Sequence, residues 1–202
     1  PRHFSKELLD AFAEEEKIVP YLDMPLQHIA DPVLKRMNRG KPRAFIEKLI
    51  DKVRTRVPNL TFRTSFIVGF PGETDADFEE LCQWVEDNDL DRVGIFTFSR
   101  EEGTTSYDLP NQVPAEVIEA RRVELQERLR IKSKKRLERY LDQRIEVMVD
   151  RVSPETELLL EGRHKGQAPE VDGVVYINDG WADPGDIVEI EITETYDFDL
   201  CG

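Results

Sequence analysis

Cysteine is nearly absent from this 202-residue sequence: Cys82 and Cys201 are the only two, and they lie far apart. A cysteine-held zinc or iron–sulfur centre needs about three or four thiolates, so these residues alone cannot build one. The same scarcity excludes a disulfide scaffold and points to a reducing compartment, the cytoplasm. Histidine is as sparse, and His3, His28 and His164 show no metal-ligand spacing. No metal site is therefore expected. No apolar run reaches the roughly 18 residues of a membrane span, so no membrane is expected as a partner. Basic charge is scarce in one part only. Residues 143–202 hold 4 Lys+Arg against 15 Asp+Glu, whereas residues 1–142 hold 24 against 27.

What is present excludes disorder. Charged residues make up 35% of the chain, but apolar residues make up 39% and recur at regular spacing. The length suits one large domain or two unequal ones. Helical periodicity gives way to alternation where the charge steps, near Leu141-Asp142-Gln143, which divides the chain into domains 1–142 and 143–202. The second, with a net charge of −11, repels a phosphate backbone and suits a basic protein partner, or simply keeps the chain in solution. The opening residues, Pro1 to Lys6, run straight into a helical pattern and resemble neither a signal peptide nor a native start.

Residues 1–142 alternate helices and strands. Ser5 to Val19 reads as a helix capped by Ser5, and Tyr21 to His28 as a short strand. Pro32 opens the next helix behind Asp31 as N-cap. Ala44 to Val57 is a helix with Phe45, Ile46, Leu49, Ile50 and Val53 at core spacing. Leu60 to Phe70 is a strand covered on both faces, and Val93 to Phe98 another buried one. Between them Thr74 and Asp77 form a capping-box pattern for a helix to about Asn88. Cys82 falls on its apolar face, beside Phe78, Leu81 and Val85, as an inert buried thiol. A long helix runs from Pro114 to about Tyr140. Three successive βα units imply a parallel sheet and half of a larger α/β domain, with ligands at the carboxyl ends of its strands. Residues 143–202 read as four or five short strands of a small OB-like barrel.

Several positions carry chemistry. The strand–turn–helix string Ile67-Val68-Gly69-Phe70-Pro71-Gly72-Glu73-Thr74 is either a tight turn or a cofactor loop. Gln27 and His28 end a strand with side-chain donors and acceptors, in a structural or a site role. Arg63, inside an otherwise apolar strand, needs a partner, either a protein carboxylate or an anionic ligand group. Residues 128–139 hold seven basic residues and one acid on a helix, a solvated face or a nucleic-acid patch.

Pro20-Tyr21-Leu22-Asp23-Met24-Pro25-Leu26-Gln27-His28, Met37-Asn38-Arg39-Gly40, Arg63-Thr64 leading to Gly69-Phe70-Pro71-Gly72-Glu73-Thr74, and Phe96 to Thr104 occur in an order that resembles the radical-SAM methylthiotransferases. Gly162-Arg163 with Gln167 to Gly173 looks like their TRAM domain. Pro25-Leu26-Gln27-His28 resembles the RimO-type branch, which modifies an aspartate of the twelfth small-subunit ribosomal protein. The alternative MiaB-type branch modifies tRNA adenosine. The acidic C-terminal domain agrees with the first, as a dock for a basic ribosomal protein and a poor tRNA clamp.

The resemblance implies an α/β fold: the C-terminal half of a partial (β/α)6, TIM-like radical-SAM barrel followed by an OB-like TRAM domain. It implies S-adenosylmethionine and two 4Fe–4S clusters in the full-length enzyme, with the cluster-binding CxxxCxxC motif outside this chain. No cluster and no radical chemistry are expected of the chain alone, and no catalytic residue is assigned. Gln27 and His28 would lie near the cofactor's ribose and methionine end, and Arg63 would meet the methionine carboxylate. Ile67 and Gly69 would pack beside the adenine, with Phe96 and Thr97 offering backbone edges. A non-catalytic ribosome-docking module is the reading of another class.

Overall fold

A computed structural model describes residues 4–202, so the readings made on Pro1, Arg2 and His3 lie outside the described residues. By contact the chain divides into two compact units. One holds everything described up to Glu14 together with Leu22–Leu129; the other holds Glu15–Tyr21 and Arg130–Gly202.

The first unit is built on a three-stranded sheet of order β1-β2-β3, from β1 (Tyr21–Asp23), β2 (Thr61–Val68) and β3 (Arg92–Thr97). β2 and β3 run parallel, and past β1 the chain keeps a parallel bridge from Gln27 to Phe66. The connecting helices are α1 (Lys6–Glu14), α2 (Asp31–Arg36), α3 (Arg43–Arg56) and α4 (Asp75–Asp87). The strand read over Tyr21 to His28 is thus only three residues long, because Pro25 has no N–H for a ladder. Asp31 is inside α2, behind Ala30, and its carboxylate instead accepts the backbone N–H of Arg43 at the start of α3. The Thr74 capping box is complete: the hydroxyl accepts from Asp77 N–H while the Asp77 carboxylate accepts from Thr74 N–H.

One face of β2, through Phe62, Phe66 and Val68, is buried against Trp84, Leu81 and Cys82 of α4 and the apolar stripe of α3. Trp84 meets Phe66 edge to face with ring centroids 6.1 Å apart, and its indole N–H donates to Glu47. The other face is different. β3 was expected to be buried, yet none of its residues is. It is an edge strand here, pairing only with β2, and Phe96 stands 56% exposed.

α5 (Ala115–Leu137) contributes Leu125 and Leu129 to this core and Leu137 to the second. The second unit's six strands are β4 (Arg144–Val152), β5 (Leu160–Arg163), β6 (Val175–Ile177), β7 (Ile187–Glu191), β8 (Glu194–Thr195) and β9 (Leu200–Cys201), in the order β7-β4-β5-β6-β9-β8. Sequence alternation does not reveal β8 and β9, because two-residue strands carry no period. The sheet curls far enough that Gly202, just after β9, lies on the Glu191 carbonyl of β7; a Cβ there would sit 2.1 Å from it.

Burial pushes the Cys82 thiol up to about 12, and Cys201 is raised for the same reason. Both are neutral thiols near neutral pH and hence poor nucleophiles. An aromatic disulfide reagent is expected to label neither within minutes in the native chain and both at once in guanidinium chloride. Rapid native labelling of Cys82 would contradict this packing.

Candidate functional site

The carboxyl ends of the parallel strands converge on a small set of side chains. Gln27, held at φ +73°, donates its N–H to Ser65 and accepts from Ile67 N–H through its carbonyl, extending the sheet beyond β1. Ile67 is opposite Phe96 across the β2–β3 ladder, and Thr97 is opposite Val68. By strand alternation Arg63, Ser65 and Ile67 share one face of β2, away from the buried Phe62 and Phe66. Gly94 on β3 leaves room there: a Cβ would lie 3.3 Å from the Phe96 ring and 3.7 Å from the Arg63 guanidinium. The structure therefore places Ile67 and Phe96 side by side on one half-open face, with the Gln27 backbone continuing the sheet next to Ile67; Thr97, opposite Val68, turns its side chain to the other face.

Arg63 starts four residues, about 13 Å, back along β2 from Ile67 but shares its face, and its guanidinium reaches to 3.7 Å from where a Gly94 Cβ would lie. Its guanidinium donates to the Asp23 carboxylate at 2.5 Å. Of the two partners that the sequence allowed, the structure supplies the protein carboxylate.

His28 is fully buried. Its Nδ1 accepts the Ala30 N–H at 3.0 Å, which puts the ring proton on Nε2. Nε2 faces Glu73 Oε2 at 3.5 Å, beyond a good hydrogen bond, and no other acceptor reaches it. The Glu73 side chain is itself fully buried and gathers the loop around it. It accepts the Gly69 N–H at 3.0 Å and the Arg121 guanidinium at 2.7 Å. Arg121, from α5, is also buried; it bonds Asp75 at 2.6 Å and stacks over Phe78. A buried His28–Glu73–Arg121 cluster thus holds the turn after β2. Gly69 needs its conformation for packing as well, since at φ +80° a Cβ would lie 2.3 Å from Ile118 of α5. Glu73 and Arg121 were missed from sequence. Glu73 stands in the recognised string, whereas Arg121 sits in a charge-rich helix with nothing to mark it as buried.

Ile67, Phe96 and Gln27 fit the side of an adenosyl cofactor: two apolar surfaces and a polar edge on a half-open face. An iron–sulfur cluster does not fit, because the only two cysteines are separately buried, one in each unit. The first two of the seven cations in the basic stretch form ion pairs. Arg128 pairs with Glu86 and Glu124, and Arg130 with Asp197. No helix is long and apolar enough to cross a membrane among the described residues.

Residues 1–85 match the radical SAM superfamily and residues 143–202 the TRAM domain. The chain is 50% identical over 99% of its length to the ribosomal protein uS12 methylthiotransferase RimO of Myxococcus xanthus, covering 42% of that protein. It is 51% identical over its full length to the enzyme of that name from Syntrophotalea carbinolica, covering 44% of it. With that of Anaeromyxobacter sp. (strain Fw109-5) the figures are 46% identity, the full chain and 43%. The chain thus spans about two fifths of the length of the relatives it matches. With a radical SAM segment, a TRAM domain and this identity along its whole length, the chain is similar to the C-terminal part of proteins named ribosomal protein uS12 methylthiotransferase RimO.

Proposed function

We propose that this chain is the C-terminal part of an enzyme that transfers a methylthio group to ribosomal protein uS12, on an aspartate by the resemblance drawn above. The observation that supports it is the whole-length identity to proteins of that name, with both the radical SAM and TRAM segments in place. The chain divides functionally into a cofactor-side segment, 1–142, and an acidic docking domain, 143–202. It acts in the cytoplasm, where its basic partner is made.

When bound, S-adenosylmethionine would supply the radical, and clusters held by cysteines beyond these 202 residues would cleave it and deliver sulfur. This chain's own part is to bind and orient. Ile67 and Phe96 would offer apolar surface to the adenine, with Gln27 and the backbone of Thr97 as polar edges. The His28–Glu73–Arg121 cluster keeps the turn carrying Gly69 in shape from behind. Arg63 would meet the methionine carboxylate with guanidinium N–H groups other than the Nη1 that binds Asp23.

The test is made on the longer enzyme with both clusters reconstituted. Incubated with uS12, S-adenosylmethionine and a reductant, it is expected to add the mass of one methylthio group to uS12 and none to a tRNA anticodon stem-loop. Modification of the RNA alone would replace this reading with the tRNA branch.

A further inference from the structure

On the side of the second unit's sheet turned away from its core a row of side chains crosses five strands, exposed at its ends, Arg151 and Glu194, and buried at Glu161 and Cys201 between them. Arg151 on β4 is opposite Glu161 on β5, Glu161 opposite Tyr176 on β6, Tyr176 opposite Cys201 on β9, and Cys201 opposite Glu194 on β8. Their strand neighbours Val152, Leu160, Val175, Ile177 and Leu200 pack into the core, so alternation places this row on the opposite side. Beside it Tyr196 stands 46% exposed and donates its hydroxyl to Glu194 at 2.8 Å. Burial, with the carboxylates of Asp199, Glu155 and Glu161 nearby, raises the Tyr176 phenol. The bond to Glu194, more than burial, pushes Tyr196 up to about 12. Both rings are therefore neutral and stand in an acidic field.

OB-like sheets commonly take single-stranded nucleic acid on such a face, stacking bases on aromatics beside basic side chains. Here the aromatics are present and the charge is inverted. The carboxylates are Glu155, Glu161, Glu194 and Asp199; the guanidinium of Arg151 is already bound to Glu161 at 2.8 Å, and that of Arg163, on the same side of β5 by alternation, to Asp150. A phosphate backbone is repelled by that field. A Lys or Arg side chain is attracted twice, by the ring faces and by the carboxylates.

We propose that the face carrying Tyr176 and Tyr196, flanked by Glu155 and Glu194, docks a Lys- or Arg-rich segment of the ribosomal protein that the enzyme modifies. This rests on the uS12 reading above and adds the surface that reads the partner. Its driving forces are charge and cation–π stacking, so binding weakens with salt.

The test titrates the 202-residue chain with recombinant uS12 and, separately, with a tRNA anticodon stem-loop across a salt series. Glu194→Lys with Tyr196→Ala, both exposed positions, is expected to weaken uS12 binding about tenfold. Glu189→Lys, the same charge reversal on β7 at the far end of the sheet order, is expected to leave it within about twofold. Unchanged thermal melting of each variant confirms that the comparison is fair. Equal weakening by both variants overturns the proposal in favour of diffuse charge, and no weakening by either overturns it outright. Stem-loop binding lost in the double variant overturns it in favour of RNA. If the unsubstituted chain does not bind uS12, the docking face falls, while the methylthiolation reading is decided by the mass measurement on the longer enzyme.

Discussion

Replacing Arg121 with methionine is expected to lower the stability of the chain by about 3–5 kcal/mol. Methionine keeps much of the side-chain length but removes the charge that faces Glu73 inside the protein. The Glu73 carboxylate is fully buried and would keep only the Gly69 N–H as a close donor, with His28 Nε2 at 3.5 Å. An unpaired carboxylate in that position is far costlier than the lost attraction at the surface. Asp75, the other partner of Arg121, is fully exposed, so Asp75→Asn is expected to cost less than about 1 kcal/mol. Pairing Arg121→Met with Glu73→Gln should recover a large part of the loss, because the uncompensated charge is then gone. Urea unfolding of the four proteins measures this. Equal losses for the Arg121 and Asp75 variants would show that Glu73 is not the residue at stake.

Gly69→Ala is expected to cost about 2–4 kcal/mol, from two separable sources. The left-handed backbone at φ +80° is unfavourable for alanine wherever it occurs, and the new methyl would meet the Ile118 side chain at 2.3 Å. Combining it with Ile118→Ala removes the collision and leaves the backbone cost. The double variant should therefore be more stable than the sum of the two single losses predicts, by about 1–2 kcal/mol. Strict additivity in thermal or urea unfolding would mean that the turn moves aside instead. The same experiment separates the packing reason for a glycine here from a ligand's need for close approach.

Much of the fold was legible because its signals are local. The apolar Phe66-Ile67-Val68 end of β2, the complete Thr74–Asp77 box, and the shift from helical spacing to alternation near residue 142 all follow from short-range chemistry. What escaped depends on distant neighbours. β3 has the composition of a buried strand, but among the described residues too little packs on its face of the sheet to cover Phe96. Arg121 looks like any other cation of a charged helix until α5 lies beside Glu73. β8 and β9 are too short to show alternation. At the candidate site, the string after β2 and the Gln27–His28 step were marked. The two roles within the step divide only in three dimensions, Gln27 on the sheet edge and His28 inside. Arg63 required a partner on physical grounds, and its choice of Asp23 depended on β1 lying alongside β2.

The open side of β3 has one more consequence. Its outer backbone N–H and C=O groups pair with no strand among the described residues, and the exposed Phe96 ring sits at that border. A strand edge of this kind is a template for further strand addition. In the 202-residue chain prepared by itself, a second copy laying its own β3 along this border is a route to aggregation. Concentration, rather than heat, then sets how long such a preparation stays monodisperse.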